Sequence, residues 1–259
     1  MLLAIDIGNT NITIGGIKDD QIVFEARIAT DRIKTSDQYG ADIKNMLSLF
    51  DVKVEDIKDC IIASVVPPVF NAVRTGAVKA IGKQPMVVGP GIKTGLNIQV
   101  DNPSQVGSDR IVIAVAALAE YKPPLALMDL GTATTIEIVD ENCTYIGGCI
   151  LPGVRVSLDA LTSRTSQLPG INLDQPKRVI GKNTVDCMRS GIMHGTAAML
   201  EGLVERMEEE LGYKTTVIAT GGIAQFIVPL CKRDIKLERD LLLKGLNIIY
   251  KKNMQDKHR

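Results

Sequence analysis

The chain has 259 residues, of which 45% are hydrophobic and 23% charged, as is usual for a soluble globular protein with a full core. Basic and acidic residues both number 30, so the net charge is zero, and aromatic residues make up only 3% with no tryptophan. This composition argues against a broad nucleic-acid-binding surface and against base-stacking platforms. The five cysteines lack C-x-x-C spacing, which favours reduced thiols over a zinc site or a disulfide framework.

The sequence gives no sign of a membrane-directed protein. The apolar N-terminus is interrupted early by Asp6 and has no basic region before it, unlike a signal peptide. No run of about 18 apolar residues occurs, so no membrane span is predicted. We therefore expect a cytoplasmic protein that binds neither membrane nor nucleic acid.

The first predicted element is a pair of strands joined by a polar turn. Residues 2–5 form a short apolar run, and an alternating pattern resumes over residues 11–16. Gly8 can adopt positive φ and Asn9 tolerates it, so both suit a tight turn. The turn places the Asp6 carboxylate, a hydroxyl and backbone N–H groups at the end of a sheet, which suits a phosphate with its metal ion. An ordinary hairpin is the alternative for such a turn alone.

The rest of the N-terminal half predicts an α/β arrangement with a partly parallel sheet, because strands alternate with helices. The predicted elements are a strand at 21–29, a helix with Ser36 as its N-cap, a strand at 60–66, a helix at 69–81, a strand at 86–88, a polar connection at 98–107 and an apolar helix at 108–121.

The strand-turn-strand pattern occurs a second time, about half the chain later, around Asp129. A repeat at this spacing predicts two copies of one domain, and their two turns would meet in a cleft. We place the boundary at Pro123-Pro124, which gives domains 1–122 and 123–259. The predicted elements of the second half are strands at 125–129, 134–139, 144–151 and 216–219, helices at 154–163 and 184–211, and two closing helices that end near Lys252.

Gly107-Ser108-Asp109-Arg110 is the most informative cluster for chemistry. Ser108 is a good N-cap, and Asp109 in the first helical turn could simply complement the helix dipole. Arg110 opposes that dipole, so its presence favours a role elsewhere, such as bidentate binding of a carboxylate or phosphate. A carboxylate beside such an anchor could accept the proton of a substrate hydroxyl.

Two glycine-rich segments are weaker signals. Gly147–Gly153 could let the backbone approach a ligand or another subunit, and Thr220–Gly222 could present backbone to a nucleotide. Alternatively, the glycines of the first segment simply end a strand, and the second segment is a tight strand-to-helix loop.

Over about residues 1–250 the chain resembles the type III pantothenate kinase family of the acetate and sugar kinase, heat-shock-70 and actin superfamily. The matching segments are Asp6–Asn11 (first phosphate motif), Asp129–Thr134 (second), Thr220–Gly222 (adenosine motif), Asp101–Pro103, Gly107–Arg110, Gly147–Gly153 and Asn183–Thr184. The resemblance implies an α/β protein of two duplicated ribonuclease-H-like domains, each with a central mixed sheet, and an active site in the interdomain cleft.

The resemblance also implies ATP-dependent phosphorylation of the terminal hydroxyl of pantothenate, the first step of coenzyme A synthesis, by a homodimer. The cofactors would be Mg²⁺ and a monovalent cation, K⁺ or NH₄⁺. Asp109 would be the general base, and Asp129 would bind the monovalent cation. Substrate would contact Val100, Gly107, Ser108, Asp109, Arg110 and Thr184. ATP would contact Asp6, which meets Mg²⁺ through the phosphates, and Ile7, Gly8, Asn9, Thr10, Asn11, Thr13, Thr132 and Gly221.

The chain departs from the family pattern at two positions. Val100 stands where the family commonly has a substrate-contacting tyrosine, and Ser108 stands where alanine is frequent. One missing hydrogen bond costs about 0.5–1.5 kcal/mol, so we expect weaker substrate binding rather than lost activity. The alternatives are a superfamily kinase for another small hydroxyl acceptor and a non-catalytic transcription accessory factor of the same family. The intact Asp6, Asp109 and Asp129 favour an enzyme.

Overall fold

Two mixed sheets organise the chain in the computed structural model, which describes residues 1–257 and their side chains as far as residue 255. Contacts divide the chain into two units. Unit 1 contains Met1–Leu96, Asp101–Ala119 and the chain from Asp240 onward, and unit 2 contains Asn97–Val100 and Glu120–Arg239. The predicted α/β class with one mixed sheet per half is confirmed.

The sheet of unit 1 has five strands in the order β3-β2-β1-β4-β5. Strand β1 is antiparallel to β2, which is antiparallel to β3, whereas β1, β4 and β5 are parallel. All six residues of β1 are buried, and all but Asp6 are apolar, as expected for a strand that is covered on both faces. The strands are β1 (Leu2–Ile7), β2 (Asn11–Lys18), β3 (Gln21–Ala29), β4 (Asp59–Ser64) and β5 (Met86–Val87).

Three helices of unit 1 follow the sequence prediction closely: α1 (Ser36–Leu49), α2 (Pro67–Ile81) and α3 (Ser108–Glu120). The predicted N-cap of α1 is wrong by one residue. Thr35 caps the helix, because its hydroxyl accepts from the Gln38 N–H while the Gln38 side chain accepts from the Thr35 N–H at 2.8 Å. This reciprocal capping box satisfies two donors, which a cap at Ser36 would not do.

The sheet of unit 2 repeats the order of unit 1 and adds one strand. Its order is β11-β10-β7-β8-β9-β6, with β7-β8-β9 antiparallel and β7-β10-β11 parallel. The predicted duplication is therefore visible in the strand order. The strands are β6 (Asn97–Ile98), β7 (Leu125–Leu130), β8 (Ala133–Val139), β9 (Thr144–Pro152), β10 (Thr216–Thr220) and β11 (Ile235–Leu237), and the helices are α4 (Val154–Ser163), α5 (Thr184–Leu211) and α6 (Ala224–Ile227).

The last helix, α7 (Leu241–Lys257), belongs to unit 1, although it follows the elements of unit 2 in the sequence. Its apolar residues Leu243, Leu246 and Ile249 share one buried cluster with residues of β1 and β4. Strand β6 in turn pairs with β9. The units therefore differ from the predicted continuous domains 1–122 and 123–259. Within residues 1–257, no helix combines the length and apolar character needed to cross a membrane.

A buried carboxylate joins the end of α5 to the strands that follow it. Glu208 accepts hydrogen bonds from the Thr215 N–H at 2.8 Å, the Lys214 ammonium at 2.9 Å and the Arg233 guanidinium at 3.0 Å. Burial raises the pKa of Glu208, but the bonds from Arg233, Thr215 and Lys214 outweigh it and lower the pKa to about 2. This carboxylate is therefore ionised in the folded protein.

Candidate active site

In unit 1, a polar turn follows the end of β1. Asp6 is buried on β1, opposite Thr13 of β2. The four residues Gly8–Asn11 connect β1 to β2, and we call them turn 1. A hydrogen bond from the Gly8 N–H to the Asn11 carbonyl, 3.1 Å long, joins the two ends of this turn. A Cβ at position 8 would lie 3.0 Å from that oxygen, so glycine serves this close approach rather than the positive φ that the sequence suggested. Asn9, Thr10 and Asn11 are exposed polar residues.

Turn 1 is also held from the outer strand of the sheet. Thr30, the first residue after β3, donates its N–H to the Thr10 carbonyl at 2.9 Å and its hydroxyl to the Gly8 carbonyl at 2.6 Å. The sequence analysis did not select Thr30. The sequence does place Thr30 directly after the predicted strand at 21–29, and this position could have indicated that Thr30 lies beside turn 1.

The start of α3 lies at the same edge of the unit 1 sheet as turn 1. The Ser108 hydroxyl accepts from the Ser64 N–H at 3.2 Å and donates to the Ser64 carbonyl at 3.1 Å. Ser64 ends β4 and pairs with Ile7, the last residue of β1. The predicted capping role of Ser108 is wrong, because Ser108 is the first residue within the helix and its hydroxyl binds β4 instead.

The carboxylate of Asp109 lies against the backbone of its own turn. Its Oδ1 accepts from the Arg110 N–H at 2.8 Å, and both side chains are half-buried. A Cβ at Gly107 would lie 2.5 Å from the same oxygen, so only glycine leaves room for this carboxylate position. Within the cluster Gly107–Arg110, Gly107 and the Arg110 N–H therefore together fix the position of the Asp109 carboxylate.

Unit 2 carries an equivalent turn after β7, the three residues Gly131–Ala133, which we call turn 2. The Gly131 N–H donates to the Ala133 carbonyl at 3.0 Å, and the exposed Thr132 accepts from the Gly153 N–H at 3.1 Å. The role of Gly153 had not been predicted beyond its place in a glycine-rich segment. Alignment of the two repeats would have paired it with Thr30.

Two motifs that the sequence analysis found separately are adjacent in unit 2. Asp129 of β7 pairs with Thr220 of β10, which is followed by Gly221. Gly221 has φ +94°, and a Cβ there would lie 2.6 Å from Asp129 Oδ1. Gly221 therefore packs directly against the Asp129 carboxylate and the Leu130 carbonyl oxygen, and a side chain at position 221 would clash with both.

Two predicted substrate residues belong to unit 2, whereas the Gly107–Arg110 cluster belongs to unit 1. Val100 belongs to unit 2, where its Cγ1 lies 3.9 Å from the position of a Cβ on Gly147. Thr184 is exposed at the first residue of α5, which Asn183 caps by accepting from the Asp186 N–H at 2.9 Å. The structure thus brings Val100 to the glycine-rich segment that was singled out independently.

The aspartates that precede the two turns, Asp6 and Asp129, suit a metal ion that is bound mostly by the phosphates of a substrate and by water. Across the described chain, His, Cys, Asp and Glu side chains do not gather in groups of three that could hold an ion. Mg²⁺ usually binds through one or two carboxylates together with substrate phosphates and water. A single carboxylate at the turn, such as Asp6, fits that donor set.

The similarity to known proteins extends over nearly the whole chain. A family model described as type III pantothenate kinase matches residues 2–206. Proteins with that name from an Exiguobacterium species and from Moorella thermoacetica are 45% and 42% identical to the chain. Both alignments cover 98% of this chain and all of the relative.

Among solved structures, the similarity extends to the fold. A protein assigned to the Baf family of transcriptional activators from Campylobacter jejuni gives a TM-score of 0.62 at 19% identity, covering 98% of this chain and 99% of that one. A protein assigned as 2-dehydro-3-deoxygalactonokinase from Sinorhizobium meliloti also gives 0.62, at 10% identity, covering 97% and 96%. At these identities, the matches support the architecture alone.

Proposed function

We propose that this chain, which belongs to the type III pantothenate kinase family, transfers the γ-phosphoryl group of ATP to the terminal hydroxyl of pantothenate. The product would be 4′-phosphopantothenate, and the reaction would be the first step of coenzyme A synthesis. The observation that carries the proposal is the match to curated family members at 42–46% identity over 98% of the chain.

In the proposed reaction, Asp109 acts as the general base. Its carboxylate accepts the hydroxyl proton as the pantothenate oxygen attacks the γ-phosphorus, the bond to the β-phosphate oxygen breaks, and ADP leaves. Arg110, Gly107 and Ser108 would contact the bound pantothenate. The fixed position of Asp109 against Gly107 and the Arg110 N–H supports this assignment, because catalysis of phosphoryl transfer depends mainly on positioning.

For the nucleotide, we propose that turn 1 contacts the phosphates. Asp6 would meet Mg²⁺, which when bound neutralises charge on the phosphate oxygens. The further ATP contacts in this proposal are Ile7, Gly8, Asn9, Thr10, Asn11 and Thr13 in unit 1, and Thr132 and Gly221 in unit 2. The exposed polar residues of turn 1 support this role.

We assign the monovalent cation, K⁺ or NH₄⁺, to Asp129, and further substrate contacts to Val100 and Thr184. The Asp129 carboxylate and the Leu130 carbonyl oxygen both lie close to Gly221, and this pair of oxygen donors supports the cation assignment. A homodimer is part of the same proposal, because the family is dimeric, and sedimentation or light scattering of the purified protein would test it.

The test is ADP release from Mg-ATP with and without pantothenate and with and without K⁺, with the product identified by mass spectrometry. Asp109→Asn is expected to lower kcat by about 10²–10⁴-fold while ATP still binds. Asp51→Asn, at an exposed position after α1, is the matched control. ADP release that ignores pantothenate would contradict the substrate, and near-normal kcat in Asp109→Asn would contradict the base.

A further inference from the structure

Thr30 binds turn 1 at two points at once. Its hydroxyl donates to the Gly8 carbonyl at 2.6 Å, and its N–H donates to the Thr10 carbonyl at 2.9 Å. The second bond continues the pairing of β2 with β3, which ends at Asn11 and Ala29. The first bond depends on the side chain, so a threonine or serine is required for it.

These two bonds fix the direction of backbone donors in the turn. In a planar trans peptide, the C=O of one residue and the N–H of the next point in opposite directions. Holding the Gly8 carbonyl on Thr30 therefore directs the Asn9 N–H to the opposite side. Holding the Thr10 carbonyl does the same for the Asn11 N–H. Both amides are fixed by bonds made on the β3 side of the turn.

The residue after Thr30 is hydrogen-bonded to a core residue of unit 1. The next residue, Asp31, donates its N–H to the Tyr39 hydroxyl oxygen at 2.9 Å, and that hydroxyl donates to the Asp31 carbonyl at 2.7 Å. Tyr39 is fully buried on α1 in the main core cluster of unit 1. The segment that carries Thr30 is therefore anchored, and Thr30 can restrain the turn rather than follow it.

The duplicated unit contains a counterpart without a hydroxyl. Gly153, the first residue after β9, donates its N–H to the Thr132 carbonyl at 3.1 Å, as Thr30 does to Thr10. A Cβ at Gly153 would lie 2.3 Å from that oxygen and 2.5 Å from the Gly131 carbonyl oxygen. Unit 2 thus holds its shorter turn by direct backbone contact, whereas unit 1 holds its longer turn through a side chain.

We infer that Thr30 is a positioning residue for nucleotide binding: its hydroxyl pre-orients turn 1 so that the turn's amides meet the phosphates of Mg-ATP without rearrangement. The inference rests on the proposed role of turn 1 in phosphate binding. Donors that are already oriented bind an anion more tightly, because the cost of ordering them is met during folding.

The experiment compares Thr30→Val, which keeps the shape and removes the hydroxyl, with Thr30→Ser, which restores it. Thr75→Val, at an exposed position of α2, is the control. The readouts are the Kd for Mg-ATP by calorimetry, the KM values for ATP and for pantothenate, and the thermal midpoint. Loss of one hydrogen bond predicts an increase of about three- to tenfold in the Kd and KM for ATP in Thr30→Val, with Thr30→Ser close to wild type.

A structural defect alone would change both KM values together, whereas the positioning role changes the value for ATP and leaves the value for pantothenate nearly constant. Unchanged ATP affinity in Thr30→Val, equal changes for both substrates, or no rescue by Thr30→Ser would overturn the inference. If Thr30→Val does not fold, Thr30→Ala replaces it.

A wild type that binds Mg-ATP without phosphorylating pantothenate would refute the proposed function alone, and the Kd comparison would still decide the role of Thr30. A wild type that does not bind Mg-ATP would refute both.

Discussion

The hydroxyl of Ser108 exchanges two hydrogen bonds with the backbone of Ser64, accepting from its N–H at 3.2 Å and donating to its carbonyl at 3.1 Å. One side chain thereby ties the first turn of α3 to the end of β4. Asp109 is the next residue along α3, so its position depends on this tie. An alanine at this position, frequent in the family, would leave the two backbone groups to other partners.

Ser108→Ala is therefore expected to lower the free energy of unfolding by about 1–2 kcal/mol and kcat by less than about tenfold. Both effects are small because the hydroxyl positions the helix and does not act on the reacting atoms. Urea unfolding and steady-state kinetics measure the two quantities, and Ser48→Ala, at an exposed position of α1, is the control. A kcat loss as large as that of Asp109→Asn would show that the hydroxyl takes part in the reaction itself.

The local features of the site could be predicted from the sequence. Both turns contain glycine and follow an apolar strand that carries an aspartate near its end, and the apolar residues of α3 follow Gly107 closely in the sequence. Each of these signals lies within a few residues of the feature that it predicts. The strands β6 and β11 were missed because each is short and lies among polar residues, whereas the equally short β5 begins a run of three apolar residues.

The remaining features depend on pairing between distant residues. The hydroxyl of Thr30 matters only because β3 lies beside β2, and Ser108 binds Ser64 only because β4 lies beside β1. The placement of α7 depends on its apolar face finding β1 and β4 rather than the preceding half of the chain. Periodicity predicts that an element exists, but it does not say which surface covers it.

Gly153→Ala is expected to disrupt turn 2. The new methyl group would lie 2.3 Å from the Thr132 carbonyl oxygen and 2.5 Å from that of Gly131, and neither backbone atom can move without opening the turn. We expect the KM for ATP to rise at least as much as for a lost hydrogen bond, about tenfold, together with a lower thermal midpoint. Gly170→Ala is the matched control, because a Cβ there meets nothing within 4 Å. Similar behaviour of the two variants would mean that turn 2 tolerates displacement.

Val100→Tyr is expected to improve substrate binding. Val100 packs near Gly147 in unit 2, and the family commonly has a substrate-contacting tyrosine at its position. One added hydrogen bond of about 0.5–1.5 kcal/mol predicts a KM for pantothenate about two- to tenfold lower, with the KM for ATP unchanged. Val23→Tyr, on the exposed part of β3, controls for the addition of a tyrosine. An unchanged or higher KM for pantothenate would mean that this chain binds its substrate without a group at position 100.

Glu208→Gln tests the buried carboxylate at the end of α5. Loss of the charge-assisted bonds from Arg233, Thr215 and Lys214 is expected to cost about 1.5–3 kcal/mol of unfolding free energy at neutral pH, with Glu209→Gln as the exposed control. The pKa of Glu208 is lowered from 4.5 to about 2 in the folded protein. Between pH 4.5 and about pH 2, the Glu208 carboxylate is therefore protonated in most unfolded chains but still ionised in most folded ones. The stabilisation is therefore complete above the unfolded pKa and is lost as the pH falls toward the folded one.

The difference in unfolding free energy between wild type and Glu208→Gln should stay constant from neutral pH down to about pH 5 and then shrink on further acidification. Urea unfolding of both proteins between pH 7 and about pH 3.5 measures it. A difference that stays constant across the whole range would mean that Glu208 titrates alike in the folded and unfolded chain, and the ion pair with Arg233 would then contribute nothing to stability.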